Sequence, residues 1–137
     1  MFEWNNSYLT GIGSIDAQHQ TLFQIGGKLH EAMVLGKGKA LLSSILERLV
    51  QYTESHFAHE ERLLRQHNYP DFTSHKAQHD ALTRQVRQFQ AKFESGEAAI
   101  TVELMHFLKN WLANHIKGND LKYVDCLRGK PIAATLR

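Results

Sequence analysis

The stretch HFAHEERLLRQHNYPDFTSHKAQH, residues 56–79, decides how the rest of the chain is read. Two helical patterns meet in it across the breaker Asn68-Tyr69-Pro70. Each carries two metal-ligand side chains four residues apart, His56 and Glu60 before the breaker and His75 and His79 after it. With about 3.6 residues per turn, such a pair lies on one helix face, one turn apart. A tight connection makes the two helices antiparallel neighbours. Three imidazoles and a carboxylate therefore converge across one helical hairpin.

The hairpin's two arms set the pattern for the chain. Asn68 suits the left-handed position after a helix end, and Pro70 prevents continuation. The helix before them spans about 39–67, with Leu42, Ile45, Leu46, Leu49, Tyr52, His56, Leu63 and Leu64 on or near its buried stripe. The helix after them, about 72–95, is capped by Asp71, carries Phe72, Leu82, Val86, Phe89 and Phe93, and stops at Ser95-Gly96. Upstream, Ser14 reads as an N-cap, with Asp16 well placed for the helix dipole. That first helix runs to about Leu35, where Gly36 and Gly38 stop it. Ile15, Leu22, Phe23, Leu29 and Met33 mark its apolar face, and His19 falls on the same face. Gly26-Gly27 inside it costs roughly 1 kcal/mol per glycine relative to alanine, so one of them is expected to admit a neighbouring helix. Downstream, Thr101 caps a fourth helix holding Leu104, Phe107, Leu108, Trp111, Leu112, His115 and Ile116, which closes at Gly118.

The expected fold is all-α: an up-down-up-down four-helix bundle in one domain over residues 1–137. Residues 1–13 form an extended arm pinned by Phe2, Trp4, Tyr8 and Ile12, and the bundle occupies 14–117. The segment 118–137 holds a short helical piece at 120–127 and a tail broken by Gly129 and Pro131. No segment reads as a strand.

Composition narrows the function classes. A net charge of +2, with no basic block, gives no footing for nucleic acid. No apolar run reaches membrane-spanning length, and MFEWNNSYLT lacks the basic-then-apolar layout of a signal peptide. The single Cys126 excludes an internal disulfide and reads as a free thiol in a reducing cytoplasm. A cytoplasmic monomer is expected. What needs explaining is the nine histidines.

The topology supplies a test. In such a bundle the start of helix one, the end of two, the start of three and the end of four share one end. His19, His56, Glu60, His75, His79 and His115 all fall there, and Asp120, just past Gly118, is placed to fold back over it. Scattered surface histidines would not sort themselves this way. Five neutral imidazoles and two carboxylates suit a borderline transition metal such as iron, zinc, copper or nickel. Seven ligands exceed one tetrahedral zinc, whereas two ions can share them if the carboxylates bridge. Five histidines leave such a pair short of two octahedra, which opens a position for a small exogenous ligand. The usual di-iron bundle uses two Glu-x-x-His motifs. This chain instead has His-x-x-x-Glu and His-x-x-x-His, a nitrogen-rich set that favours reversible binding over oxygenation.

His19 in DAQHQTLF, His56 and Glu60 in HFAHEE, His75 and His79 in HKAQH, and His115 with Asp120 in WLANHIKGND resemble the hemerythrin family, specifically its single-domain bacterial members. The resemblance runs from Trp4 to about Tyr123 and fills all seven ligand positions. It implies two iron ions with an oxo or hydroxo bridge, one held by His75, His79 and His115, the other by His19 and His56. Glu60 and Asp120 would bridge them. It implies further that dioxygen binds at the iron with two histidines, in a pocket walled by Leu22, Phe57, Trp111, Leu112 and Ile116. A dry wall hinders proton delivery and so slows loss of the bound oxygen. Plain core packing explains these apolar residues as well, equally so for Leu22 and Phe57.

His30, His59, His67 and His106 lack partner spacing and read as surface or packing histidines. His59-Glu60-Glu61-Arg62-Leu63 opens like a zinc-protease motif, but the second histidine is absent. The expected function is reversible dioxygen binding for storage, delivery or buffering, with no recipient protein legible, and not an enzyme. Two alternatives stay open: a di-iron oxidase, peroxidase or nitric-oxide-handling enzyme, and an oxygen or redox sensor read by a partner.

Overall fold

A computed structural model describes residues 2–118 and 120–127, with the backbone alone at 117, 118, 120, 121, 125 and 126. The tail 128–137, the side chain of Asp120 and that of Cys126 lie outside the described residues. Helix α1 spans Gly13–Val34, α2 Lys39–Gln66, α3 Phe72–Ser95 and α4 Val102–Gly118. A 3-10 turn, Asn6–Tyr8, precedes α1; a second, Asp120–Tyr123, leads into the short helix α5, Val124–Leu127. No strand occurs among the described residues. The four long helices form an all-α bundle, α1 against α2, α2 against α3, with α4 touching α1 and the Asn6–Tyr8 turn.

Three of the helices stop by one device. After α1, α2 and α3 the chain turns left-handed at Gly36 (φ 68°), Asn68 (φ 55°) and Gly96 (φ 85°). Each turn closes a pair of bonds back onto the last helical carbonyls: Lys37 N–H to Ala32 and Gly36 N–H to Met33, Tyr69 to Leu64 and Asn68 to Arg65, Glu97 to Lys92 and Gly96 to Phe93. These bonds satisfy carbonyls the helix leaves unpaired. At Asn68 the turn also drives Tyr69 into a small apolar cluster beside Leu64. The breaker thus ends α2 and anchors the start of α3 together. Away from this end, Arg87 of α3 reaches Glu54 and Glu47 of α2, largely exposed pairs worth about 0–1 kcal/mol.

The helix starts follow different rules. Thr101 caps α4 as expected, its Oγ1 accepting the Leu104 N–H at 3.2 Å. Ser14 does not cap α1. The helix begins two residues earlier than such a cap would place it, behind Ile12, and Ser14 sits inside the first turn. Asp16 ties down the arm instead, accepting from Thr10 N–H and Oγ1 (both 2.8 Å) and from Gly11 N–H (3.1 Å). Asp71 likewise precedes α3 without a capping bond from its side chain.

The arm also accounts for Gly26. A Cβ there would stand 2.6 Å from two ring carbons of Phe2. The close approach is therefore by the arm's own aromatic ring, not by a neighbouring helix. Phe2 and Trp4 both pack edge-on against Phe23, and Tyr8 joins them. Gly26→Ala is expected to expel Phe2 and loosen the arm. Trp4 emission, read in a Trp111→Phe background, should shift towards that of exposed indole. Bundle stability should change by no more than about 1 kcal/mol, since alanine's helix preference offsets the lost contact. An unchanged Trp4 spectrum would contradict this packing.

The core has two parts with a polar layer between them. The larger cluster includes Leu22, Leu29, Leu46, Met105, Leu112 and Ile116. The smaller one, at one end, comprises Ile15, Leu63, Leu64, Tyr69, Tyr123 and Leu127. On α1, His19 lies between Ile15 and Leu22; on α2, His56 and Glu60 lie between Val50 and Leu63. The histidine layer is thus sealed by apolar side chains above and below.

Candidate metal centre

Glu60 stands at the middle of that layer, its side chain fully buried. Its two oxygens face different partners. Oε1 lies 2.9 Å from His75 Nε2 and 3.2 Å from His79 Nε2. Oε2 lies 2.9 Å from His56 Nε2 and 3.4 Å from His19 Nε2. His115 closes the first group, its Nε2 3.2 Å from that of His79. All five rings are buried, none more than 4% exposed. The side chains form two ligand groups that share one carboxylate: Glu60, His75, His79 and His115, and His19, His56 and Glu60. Each ring reaches the layer from a separate turn of helix, α1 supplying His19, α2 His56, α3 His75 and His79, and α4 His115.

Burying a carboxylate costs several kcal/mol unless partners compensate. Burial pushes the Glu60 carboxyl up. The charge on His56 and hydrogen bonds from His19, His56 and His75 outweigh it and hold the carboxyl well below the usual range. Tyr123 adds a further bond, its hydroxyl donating to Oε2 at 3.2 Å. An anion so placed attracts positive charge, whether protons on the rings or metal cations.

The outer ring nitrogens show how two of the rings could serve a cation. His56 Nδ1 lies 2.7 Å from Gln18 Oε1 and His79 Nδ1 2.8 Å from Glu61 Oε2. Both oxygens accept, so both Nδ1 atoms carry hydrogen and donate outward. In the neutral form of these rings, Nε2 of His56 and of His79 turns a lone pair towards the Glu60 oxygens, an arrangement that a cation between them relieves. Five imidazole nitrogens and a carboxylate are the donor set of a borderline transition metal. The residues fit such ions.

Aromatic rings pack against the layer. Phe57 stacks on His79 with centroids 3.8 Å apart and rings 3° from parallel. Trp111 lies parallel to His115 at 6.2 Å and edge-on to Phe57 at 6.1 Å. Of the residues expected to wall an oxygen pocket, Phe57 and Trp111 thus meet the three-histidine group. Leu22, Leu112 and Ile116 are buried in the larger apolar cluster that borders the layer. A hollow of about 300 Å³ between α3 and α4, lined by Gln78, Leu82, Trp111 and His115 among others, reaches the layer from outside.

The other histidines stand apart. His59 is buried, its Nε2 3.1 Å from the Ser14 hydroxyl, and burial with the nearby charges of His56 and Arg62 lowers its pKa. It is a packing histidine. His106 is exposed, and His30 and His67 are half-buried. Gln18, Glu61 and Tyr123 escaped the sequence reading because each acts across helices, where spacing along one helix carries no signal.

Comparison with known proteins identifies the family. Residues 10–127 match the sequence family described as "Hemerythrin HHE cation binding domain". The chain belongs to the hemerythrin family. Bacteriohemerythrin of Pseudomonas aeruginosa is 38% identical over 125 residues, covering 91% of this chain and 80% of that protein. Bacteriohemerythrin of Methylococcus capsulatus is 36% identical over 118 residues, covering 86% and 89%. A crystal structure of wild-type hemerythrin superposes with a TM-score of 0.86 at 35% identity, over 91% of this chain and 96% of that one. Both bacteriohemerythrins are bacterial proteins, as the sequence motifs of this hemerythrin chain imply. Among the described residues no helix is long and apolar enough to cross a membrane.

Proposed function

We propose that this chain binds dioxygen reversibly at a pair of iron ions held between its four helices. One observation carries the reading: Glu60 divides its two oxygens between two separate groups of buried histidines. That is the position of a carboxylate shared by two cations. His75, His79 and His115 would hold one iron and His19 and His56 the other, with Glu60 and Asp120 shared. Two ferrous ions supply, when bound, the two electrons that dioxygen takes up and returns.

The chain's own residues set the terms of that exchange. Tyr123 and the inward nitrogens orient Glu60. Gln18 and Glu61 hold two of the rings in the tautomer that offers Nε2 inward. Leu22, Phe57, Trp111, Leu112 and Ile116 would wall the oxygen pocket, with Phe57 near rings of both groups and Trp111 against His115, and the apolar clusters limit access of water and protons. The group with fewer histidines leaves room for the small ligand. The lone Cys126 fits a reducing compartment, and we place the protein in the cytoplasm as a monomeric oxygen store or buffer.

Metal analysis together with oxygen uptake tests this reading. The expected result is two irons per chain and one dioxygen bound per pair, released when the oxygen pressure falls. Sustained oxygen consumption with a reductant, and accumulation of an oxidised product, would replace the carrier by an oxidase or peroxidase.

A further inference from the structure

We infer that Gln18 and Glu61 are positioning residues that make the two histidine groups unequal, so that the group of His75, His79 and His115 holds its metal ion the more tightly. The inference rests on the two-metal reading above. Both residues do the same geometric work. Each places an acceptor oxygen 2.7–2.8 Å from an outward Nδ1, which fixes the ring and turns its Nε2 towards Glu60. They differ in charge.

Glu61 sets a carboxylate behind His79. A charge-assisted bond draws the Nδ1 proton outward and leaves the inward Nε2 more basic, a stronger donor to a cation. Lys76 steadies that carboxylate, its Nζ 4.0 Å from the other Glu61 oxygen and 3.0 Å from Asp80. Gln18 sets only a neutral amide behind His56, so the bond fixes the ring while donating less charge. The count of rings points the same way, three on the Glu61 side and two on the Gln18 side. The outcome is a tight position and a looser one. The looser one, with fewer and less basic ligands, is also the one with coordination room for a small molecule. A pair built this way loses one ion before the other and presents one ion for exchange with ligand.

Anaerobic titration of the metal-free protein with cobalt(II), followed by its visible bands, reads the two steps separately. Wild type is expected to fill in two resolved steps. Glu61→Gln keeps an acceptor oxygen and removes the charge, and should weaken the first step by about 10–100-fold while leaving the second in place. Gln18→Glu should strengthen the second step and narrow the gap. The gain in Gln18→Glu, at a ring already fixed by an acceptor oxygen, is one that a purely structural role does not predict. Nitrogen-15 histidine spectra of the zinc(II)-loaded protein should show the His56 and His79 protons on Nδ1 in all of these chains. Two steps of wild-type strength in both Glu61→Gln and Gln18→Glu would overturn the inference alone, as would equal shifts of both steps. Uptake of a single ion by wild type would overturn the two-metal reading and this inference with it.

Discussion

Glu60→Ala is expected to reduce metal loading from two ions per chain to one or none, and to abolish any oxygen-dependent spectrum. The carboxylate supplies both groups at once, with four histidine nitrogens within 3.4 Å of its two oxygens. Its removal deletes a ligand from each side and leaves a void in a buried polar layer. Changes to groups that merely orient ligands already cost about 10–100-fold in metal affinity, so loss of a shared ligand should cost more. Folding needs a separate control, because truncation removes the carboxylate that the Tyr123 hydroxyl and four rings face. Glu60→Gln keeps the volume and one acceptor oxygen, and should retain native helix content. It cannot offer both groups an anionic oxygen and should lose the second ion as well. Two ions and wild-type oxygen binding in either folded variant would show that Glu60 is not shared.

Phe57→Ala is expected to be the most costly apolar truncation near the site, at about 3–5 kcal/mol in urea unfolding of the metal-free protein. Phe57 is 4% exposed and lies flat on His79, with edge contacts to Trp111 and tilted ones to His56 and His115. No neighbour can collapse into the space without giving up one of those ring contacts. The hollow left behind would sit beside the histidine layer and open towards Glu54, Ala58 and Thr83, where a surface depression already touches Phe57 and His79. Water would gain access. In the oxygen-loaded protein, the oxygen-bound form should therefore decay to the oxidised form faster than in wild type. Phe57→Leu keeps an apolar plug and should fall between. A loss below about 1 kcal/mol in Phe57→Ala would mean that Phe57 does not seal the layer.

Helix boundaries were legible because the chain marks them with strong local chemistry. Gly36, Asn68 and Gly96 each adopt positive φ, a conformation these residue types favour, and the helices end within about a residue of the expected positions. The gathering of the histidines at one end was legible too, since it follows from helix period and alternating direction. Residues chosen by contacts across helices were not. Ser14 is an ordinary capping type, yet neither it nor Asp16 caps α1, which begins behind Ile12. Buried His59 claims the Ser14 hydroxyl, while Asp16 is left to hold Thr10 and Gly11. Gln18 neighbours His19 in sequence yet serves His56, and Glu61 neighbours Glu60 yet serves His79. Gly26 looked like a defect until the arm brought Phe2 across it. Each of these depends on packing that no single helix encodes.

Reversible oxygen binding is tested most directly on protein loaded with ferrous iron in the absence of air. Its visible spectrum would be recorded as dioxygen is admitted and then removed, with iron counted per chain. Two irons per chain are expected, with a band that appears with oxygen and vanishes on its removal over repeated cycles. Immediate conversion to an oxidised spectrum that does not reverse would contradict a reversible carrier.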